Sequence, residues 1–142
     1  GQHQFSGANW CYDFREMEDF CDPKVSTKYL NNLPKRFAKL TCSWGPARNS
    51  EWICRVYLAA KMIMNATLNL QAVQYAKCQN LRLVTPYLEY YSILSLLRAV
   101  VYTLPEVEWN NGELVAISHA KAINLAFDHL GKFKTLITLI NT

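Results

Sequence analysis

The chain has 142 residues, enough for one domain with a sizeable core that folds without disulfides or a metal. Its formal net charge of +4 permits a polyanionic partner but does not require one. The five scattered glycines exclude the clustered glycines of a dinucleotide-binding motif or a P-loop, and with them nucleotide hydrolysis by those routes.

The fold class follows from helical spacing of apolar residues and from the lack of sustained apolar–polar alternation. We therefore predict an all-α fold, a bundle of four to six helices around a central apolar helix at about residues 86–103. Residues 1–8 are polar and are expected to form a loose N-terminal arm. Residues 9–142 are expected to form a single helical domain, and the pattern is compatible with a fragment of a longer chain.

Two short helices are predicted before residue 43. The first covers about residues 9–21, and the second covers about residues 26–40 with a break at Pro34. Residues 43–50 form the clearest loop, because Gly45-Pro46 cannot sit inside a helix. A long helix is predicted to start after a cap at Asn49 or Ser50 and to end near residue 78.

The central helix has clear start and stop signals. Thr85 can cap orphan amides, and Pro86 suits the first helical position. Pro105 ends the helix, so the element is expected to run from about Pro86 to Thr103. Only Glu89 and Arg98 are charged along it, which predicts neighbouring elements on several sides.

A polar segment with Asn110-Asn111-Gly112 follows the central helix and has the composition of a turn. We interpret it as a helix-to-helix loop, because neither flank alternates like a strand. The next helix is predicted from about Glu113 or Ser118 to His129, and a further helical pattern follows Gly131.

The five cysteines show no Cys-x-x-Cys pair and fall mostly within helical patterns, as expected of reduced, buried thiols. The three histidines lack metal-like spacing, so we expect neither a metal nor a cofactor. The longest apolar stretch of the central helix is too short for a membrane span, and no signal peptide precedes it. The predicted location is the cytoplasm, with no membrane partner.

Arg98 and His119 are the candidate catalytic residues. An arginine on an apolar helix needs a carboxylate, a carbonyl or a bound anion. One interpretation is structural: an ion pair with Glu89 or Asp128, or a side chain that reaches the bundle edge. The other places Arg98 and His119 in one cleft, where a fixed cation holds a phosphate and an imidazole transfers a proton.

The candidate ligand-binding residues are Tyr90, Tyr91, Lys121 and Asn124. The alternative for the tyrosine pair is that the rings fill the core and the hydroxyls reach its rim. For His119, the alternative is a histidine at the start of a helix that bonds to the backbone.

The segment YLEYYSILSLLRAVVY, followed by a polar loop and SHAKAIN, resembles the two-helix core of the HEPN superfamily, small all-α domains named as higher-eukaryote and prokaryote nucleotide-binding. The resemblance covers about residues 86–130. The matching positions are Tyr90, Tyr91, Arg98, Ala99, Ser118, His119 and Ile123. The nuclease signature of the superfamily, an arginine a few residues before a histidine on one helix, has no counterpart here.

The resemblance implies a homodimer that binds or acts on RNA or a nucleotide, in a bacterial defence or toxin–antitoxin system. If such a domain were an enzyme, it would be a metal-independent ribonuclease. The alternative function is a non-catalytic helical interaction or scaffold module of a larger protein. The sequence leaves both functions open.

Overall fold

The computed structural model describes residues 35–38, 40 and 42–130. These residues form two compact units, of which the first ends at Cys54 and the second begins at Arg55. They contain five helices, four of them of seven residues or more, and no strand. The all-α prediction is therefore confirmed for this part of the chain. The predictions for residues 1–34 and for the segment after Leu130 lie outside the described residues.

The helices follow one another along the chain with short connections. A short helical segment includes residues 35–38 and 40. Then come α1 (Pro46–Cys78), α2 (Thr85–Thr103), a 3-10 helix (Asn110–Ala116) and α3 (His119–Leu130). Helices α1, α2 and α3 pack together.

Helix α1 begins earlier than the sequence predicts. Pro46 is its first residue, and the Ser50 hydroxyl donates to the Pro46 carbonyl at 2.9 Å and does not cap the helix. Proline is tolerated in the first turn because the amide it lacks would have no acceptor there. Within the first unit, the Trp52 ring meets Phe37 edge to face, with centroids 5.6 Å apart.

Helix α2 ends where Pro105 predicts and begins one residue before the predicted start. Thr85 is not a cap, however. It lies inside the helix, and its hydroxyl donates to the Leu81 carbonyl at 3.2 Å. Leu104 leaves the helix in an extended conformation, as expected for the residue that precedes a proline.

The core of the second unit joins residues from α1, α2, α3 and the segment between α2 and α3. Small side chains on facing helices let the backbones approach closely. Its buried members are Ala59, Ala99, Val101, Tyr102, Leu104, Val107, Leu114 and Ala126.

One side of α2 remains exposed. Ile93 and Leu96 lie on it and are exposed, whereas Leu94 and Ala99 are buried. The sequence predicts neighbours on several sides of this helix, and the structure covers only part of its circumference. The printed contacts of α2 with α1 run along much of both helices, from Arg55 with Tyr102, through Asn65 with Ser95, to Lys77 with Glu89.

Arg55 is the first residue of the second unit and is only 1% exposed. Its guanidinium donates to the carbonyls of Tyr102 at 3.4 Å, Leu104 at 3.3 Å and Val107 at 2.5 Å. The guanidinium carbon also lies 5.5 Å from the centroid of the Trp109 ring. The last carbonyl groups of a helix have no hydrogen-bond donor within the helix. Arg55 supplies donors to carbonyls at the end of α2 and in the segment that follows it.

The connection from α2 to α3 contains short 3-10 turns within Asn110–Ala116, interrupted by a kink at Asn111 and Gly112. Asn110, Asn111 and Gly112 have φ angles of +46°, +53° and +94°. Asparagine and glycine are the residues that adopt this left-handed region most readily. The turn composition seen in the sequence is therefore explained by three consecutive left-handed residues.

Helix α1 carries a row of exposed apolar side chains, here called the α1 stripe: Tyr57, Met64, Leu68 and Tyr75. Each is between 63% and 67% exposed. On a helix with about 3.6 residues per turn, these positions fall within about 40° of one another. Ala59, Ala66 and Val73 are buried on the opposite side of the same helix.

Among the described helices, none combines the length and the apolar character needed to span a membrane.

Candidate functional site

Four aromatic side chains meet where α2 and α3 both begin. The Tyr90 hydroxyl lies 3.4 Å from Nδ1 of His119. The Tyr91 ring stands edge-on to the His119 ring with centroids 6.0 Å apart, and it also contacts the Tyr90 ring at 5.2 Å and the Tyr87 ring at 4.5 Å. We call these four residues, Tyr87, Tyr90, Tyr91 and His119, the aromatic cluster.

The local sequence explains this arrangement. Tyr87 and Tyr91 are four residues apart on α2, so their rings stack along one side of the helix, and Tyr90 lies beside them. On the other helix, the Ser118 hydroxyl accepts a hydrogen bond from the Lys121 amide at 3.3 Å. This cap fixes the start of α3 and with it the position of His119, its first residue.

The aromatic cluster is open to solvent. Tyr87 is 62% exposed and Tyr90 is 45% exposed, whereas Tyr91 is half-buried between them. The pKa of Tyr87 is raised above its ordinary value, mainly because its hydroxyl shares a hydrogen bond with Tyr91, and secondarily because the Tyr91 charge repels a second phenolate. The two candidate ligand-binding tyrosines, Tyr90 and Tyr91, therefore lie beside His119, and Tyr90 is not buried in the core.

Arg98 is half-buried and does not form the ion pairs that the sequence suggests. Its guanidinium donates to the carbonyls of Val115 at 3.4 Å and Ile117 at 2.7 Å. The Glu89 carboxylate pairs with Lys77 at 2.9 Å. Arg98 therefore holds the segment that leads into His119. The described contacts of Arg98 are to this backbone and not to the imidazole.

Asn124 and Lys121 lie on α3, both exposed. Lys121 borders a groove of about 390 Å³ that also contains Glu106, Glu108 and Glu113. Three carboxylates beside one ammonium group give this groove an acidic character, which disfavours a phosphate. Lys121 thus contributes little to an anion site, and no contact joins Asn124 to the aromatic cluster among the described interactions.

A basic hollow of about 300 Å³ lies beside the first turn of α2, and sequence reasoning missed it. Lys77, Arg82 and Pro86 are among the residues that line it. Pro86 directly precedes Tyr87 in the chain, although no residue of the aromatic cluster lines the hollow. The Arg82 guanidinium is positioned by a 2.9 Å hydrogen bond to Asn80, whose φ of +58° turns the chain between α1 and α2. The sequence feature that could have indicated this hollow is the pair of basic residues, Lys77 and Arg82, on either side of the turn between α1 and α2.

The prediction that the cysteines are buried is wrong for Cys42 and Cys78. Cys42 and Cys78 are exposed, and Cys54 is partly buried; all three are free thiols. Cys78 is exposed because it closes α1 at the turn into α2, and Cys42 lies in the turn before α1. In the described part of the chain, no group of three or more histidine, cysteine or acidic residues could hold a metal ion.

Comparisons with protein-family models, with curated proteins and with solved structures find no match to this chain.

Proposed function

We propose that this protein binds single-stranded RNA or a nucleotide through the aromatic cluster. The observation that carries the proposal is the exposure of Tyr87 and Tyr90 beside His119 at the start of two adjacent helices. Exposed aromatic rings stack on bases regardless of sequence, at about 1–3 kcal/mol per base.

The basic hollow supplies the second requirement of such a site. Lys77 and Arg82 flank it and can face the phosphates of a strand whose bases reach Tyr87 and Tyr90. Lys77 also pairs with Glu89, so Arg82 is the cation more readily available to a phosphate. The carboxylates of the groove bordered by Lys121 carry the same sign of charge as a phosphate and therefore disfavour an anionic ligand on that side of α3.

The proposal extends the resemblance to HEPN domains, because Tyr90, Tyr91, Arg98 and His119 are residues that match that pattern. It favours binding over cleavage. Arg98 donates to backbone carbonyls and positions the start of α3, and a guanidinium engaged in this way is less available to stabilise a reacting phosphate. A role in a bacterial defence or toxin–antitoxin system belongs to the same proposal.

The test is fluorescence anisotropy with a labelled oligouridylate, repeated with a labelled adenine nucleotide. We expect Tyr87→Ala and Tyr90→Ala each to weaken binding by roughly 5- to 150-fold, the equivalent of one lost stacking contact. The matched control is Phe127→Ala, which removes an exposed aromatic ring of α3 outside the aromatic cluster. Absence of binding by the wild type, or equal losses for Phe127→Ala, would contradict the proposal.

A cleavage assay separates binding from catalysis. If the protein only binds, the labelled oligouridylate stays intact after incubation with the wild type at saturating concentration. If the wild type shortens it and His119→Ala does not, the protein acts on RNA, and His119 is then a catalytic residue.

The α1 stripe favours a second function, a non-catalytic helical interaction module. An exposed apolar row on a helix whose opposite side is buried is typical of an interface. If this is the function, the anisotropy experiment shows no binding of the oligouridylate or the nucleotide. The protein then still associates with a protein partner through α1.

A further inference from the structure

The α1 stripe has the area that a specific interface needs. A side chain of this size has roughly 200 Å² of surface, of which about two-thirds is exposed at each of the four positions. The stripe therefore offers about 500 Å² on one chain and about 1,000 Å² on two, which is the lower limit for a specific interface.

The stripe is also symmetric along the helix. The midpoint of Tyr57 and Tyr75 and the midpoint of Met64 and Leu68 both fall at Ala66. When two copies of α1 lie antiparallel about a twofold axis, Tyr57 of one copy faces Tyr75 of the other, and Met64 faces Leu68. An interface with twofold symmetry requires this reciprocity, in which residue i contacts residue j and j contacts i.

Charge favours the antiparallel arrangement over the parallel one. Lys61 is the only charged residue between Tyr57 and Tyr75. A parallel pair places Lys61 beside Lys61 of the second copy. An antiparallel pair separates the two by ten positions, or about 15 Å. That separation exceeds the screening length of about 8 Å at physiological ionic strength.

We propose that the protein forms a homodimer in which two copies of α1 pack antiparallel through the α1 stripe, with Met64 of one copy against Leu68 of the other. The stripe lies outside the segment that resembles HEPN domains and outside the aromatic cluster. The proposal therefore stands independently of RNA binding. The aromatic cluster of each copy can bind its ligand only if the dimer leaves the start of α2 uncovered. RNA binding by the dimer would show that the start of α2 is uncovered.

Light scattering on a size-exclusion column, over a range of concentrations, tests the proposal. We expect the wild type to be a dimer and Leu68→Lys to weaken dimerisation at least 100-fold, because it places a charge in the apolar contact. The matched control is Leu70→Lys, which adds the same charge to a half-exposed leucine on a different side of α1. We expect less than a threefold effect from it. Circular dichroism verifies that both variants keep the wild-type helix content.

Mixing two variants tests the register. Met64→Glu and Leu68→Lys are each expected to be monomeric, and a mixture of the two is expected to form a dimer containing one of each. This outcome requires that position 64 of one copy face position 68 of the other. A monomeric wild type, a dimeric Leu68→Lys, equal effects of the two lysine variants, or a mixture that remains monomeric would each overturn the proposal.

Discussion

The Arg55 guanidinium donates to the Val107 carbonyl at 2.5 Å and so connects α1 to the segment that follows α2. Arg98, the arginine that the sequence analysis singled out, is half-buried, whereas Arg55 is buried. Two arginines thus use backbone carbonyls at both ends of the connection between α2 and α3: Arg55 near its start and Arg98 near its end.

Replacement of Arg55 by alanine is expected to lower the free energy of unfolding by about 3 kcal/mol or more. The carbonyls of Tyr102 and Val107 lose the Arg55 donor, whereas Leu104 keeps the Val107 amide, and a buried acceptor left unsatisfied costs about 1–3 kcal/mol. The control Arg82→Ala removes an exposed arginine and should change stability by less than about 0.5 kcal/mol. Urea denaturation followed by circular dichroism measures both. A small loss for Arg55→Ala would mean that water replaces the guanidinium.

Leu94 and Leu96 provide a test of which side of α2 is covered. Leu94 is buried, and Leu94→Ala should cost roughly 2–5 kcal/mol because it removes buried methyl groups and leaves a cavity. Leu96 is exposed, and Leu96→Ala should cost under about 1 kcal/mol. Thermal or urea unfolding of the two variants gives the comparison. Similar losses at both positions would show that α2 has a neighbour on its exposed side.

The two described glycines give a matched pair for backbone conformation. Gly112 has a φ of +94°, so Gly112→Ala should destabilise the protein by about 1 kcal/mol, although a Cβ there would meet only the Trp109 ring at 3.9 Å. Gly45 has open space around it and no left-handed φ. Gly45→Ala is expected to be neutral or slightly stabilising. Equal effects in urea denaturation would contradict the left-handed conformation at Gly112.

The pKa of Tyr87 is expected to fall toward its ordinary value in Tyr91→Phe, because the hydrogen bond with Tyr91 stabilises the protonated phenol of Tyr87. Because the pKa of Tyr87 is raised in the folded state, its hydrogen bond with Tyr91 stabilises the fold at a pH below the ordinary tyrosine pKa. This stabilisation is lost as the pH rises through the pKa that Tyr87 has in the folded protein. Ultraviolet difference titration of the wild type and of Tyr91→Phe measures the change. An unchanged titration curve for the remaining tyrosines would show that the two hydroxyls do not interact.

The strongest local signals in the sequence located the helix boundaries. Pro105 and Ser118 mark the end of α2 and the start of α3 because a proline or a capping hydroxyl acts on its own neighbours. Pro46 was interpreted as part of a loop, although it begins α1, because a proline at the first helical position and a proline in a turn look alike in sequence.

Contacts between distant residues could not be predicted in the same way. Arg55 lies among apolar positions of α1, so its burial could have been inferred from the sequence. Its acceptors could not, because they are backbone carbonyls 47 to 52 residues away and every residue has such a carbonyl. Tyr90 and His119 were each selected as candidate site residues, but the contact between them was not predicted. Their 3.4 Å contact depends on how α2 and α3 pack.

The three consecutive left-handed residues at 110–112 also restrict how this chain can vary in evolution. Most side chains pay a steric cost at a positive φ, and three neighbouring positions multiply that restriction. Neutral drift at these positions is therefore expected to stay among asparagine, aspartate and glycine, whereas the exposed positions of α3 accept a wide range of polar residues. A short, surface-exposed connection would in this way vary less than parts of the helices that it joins.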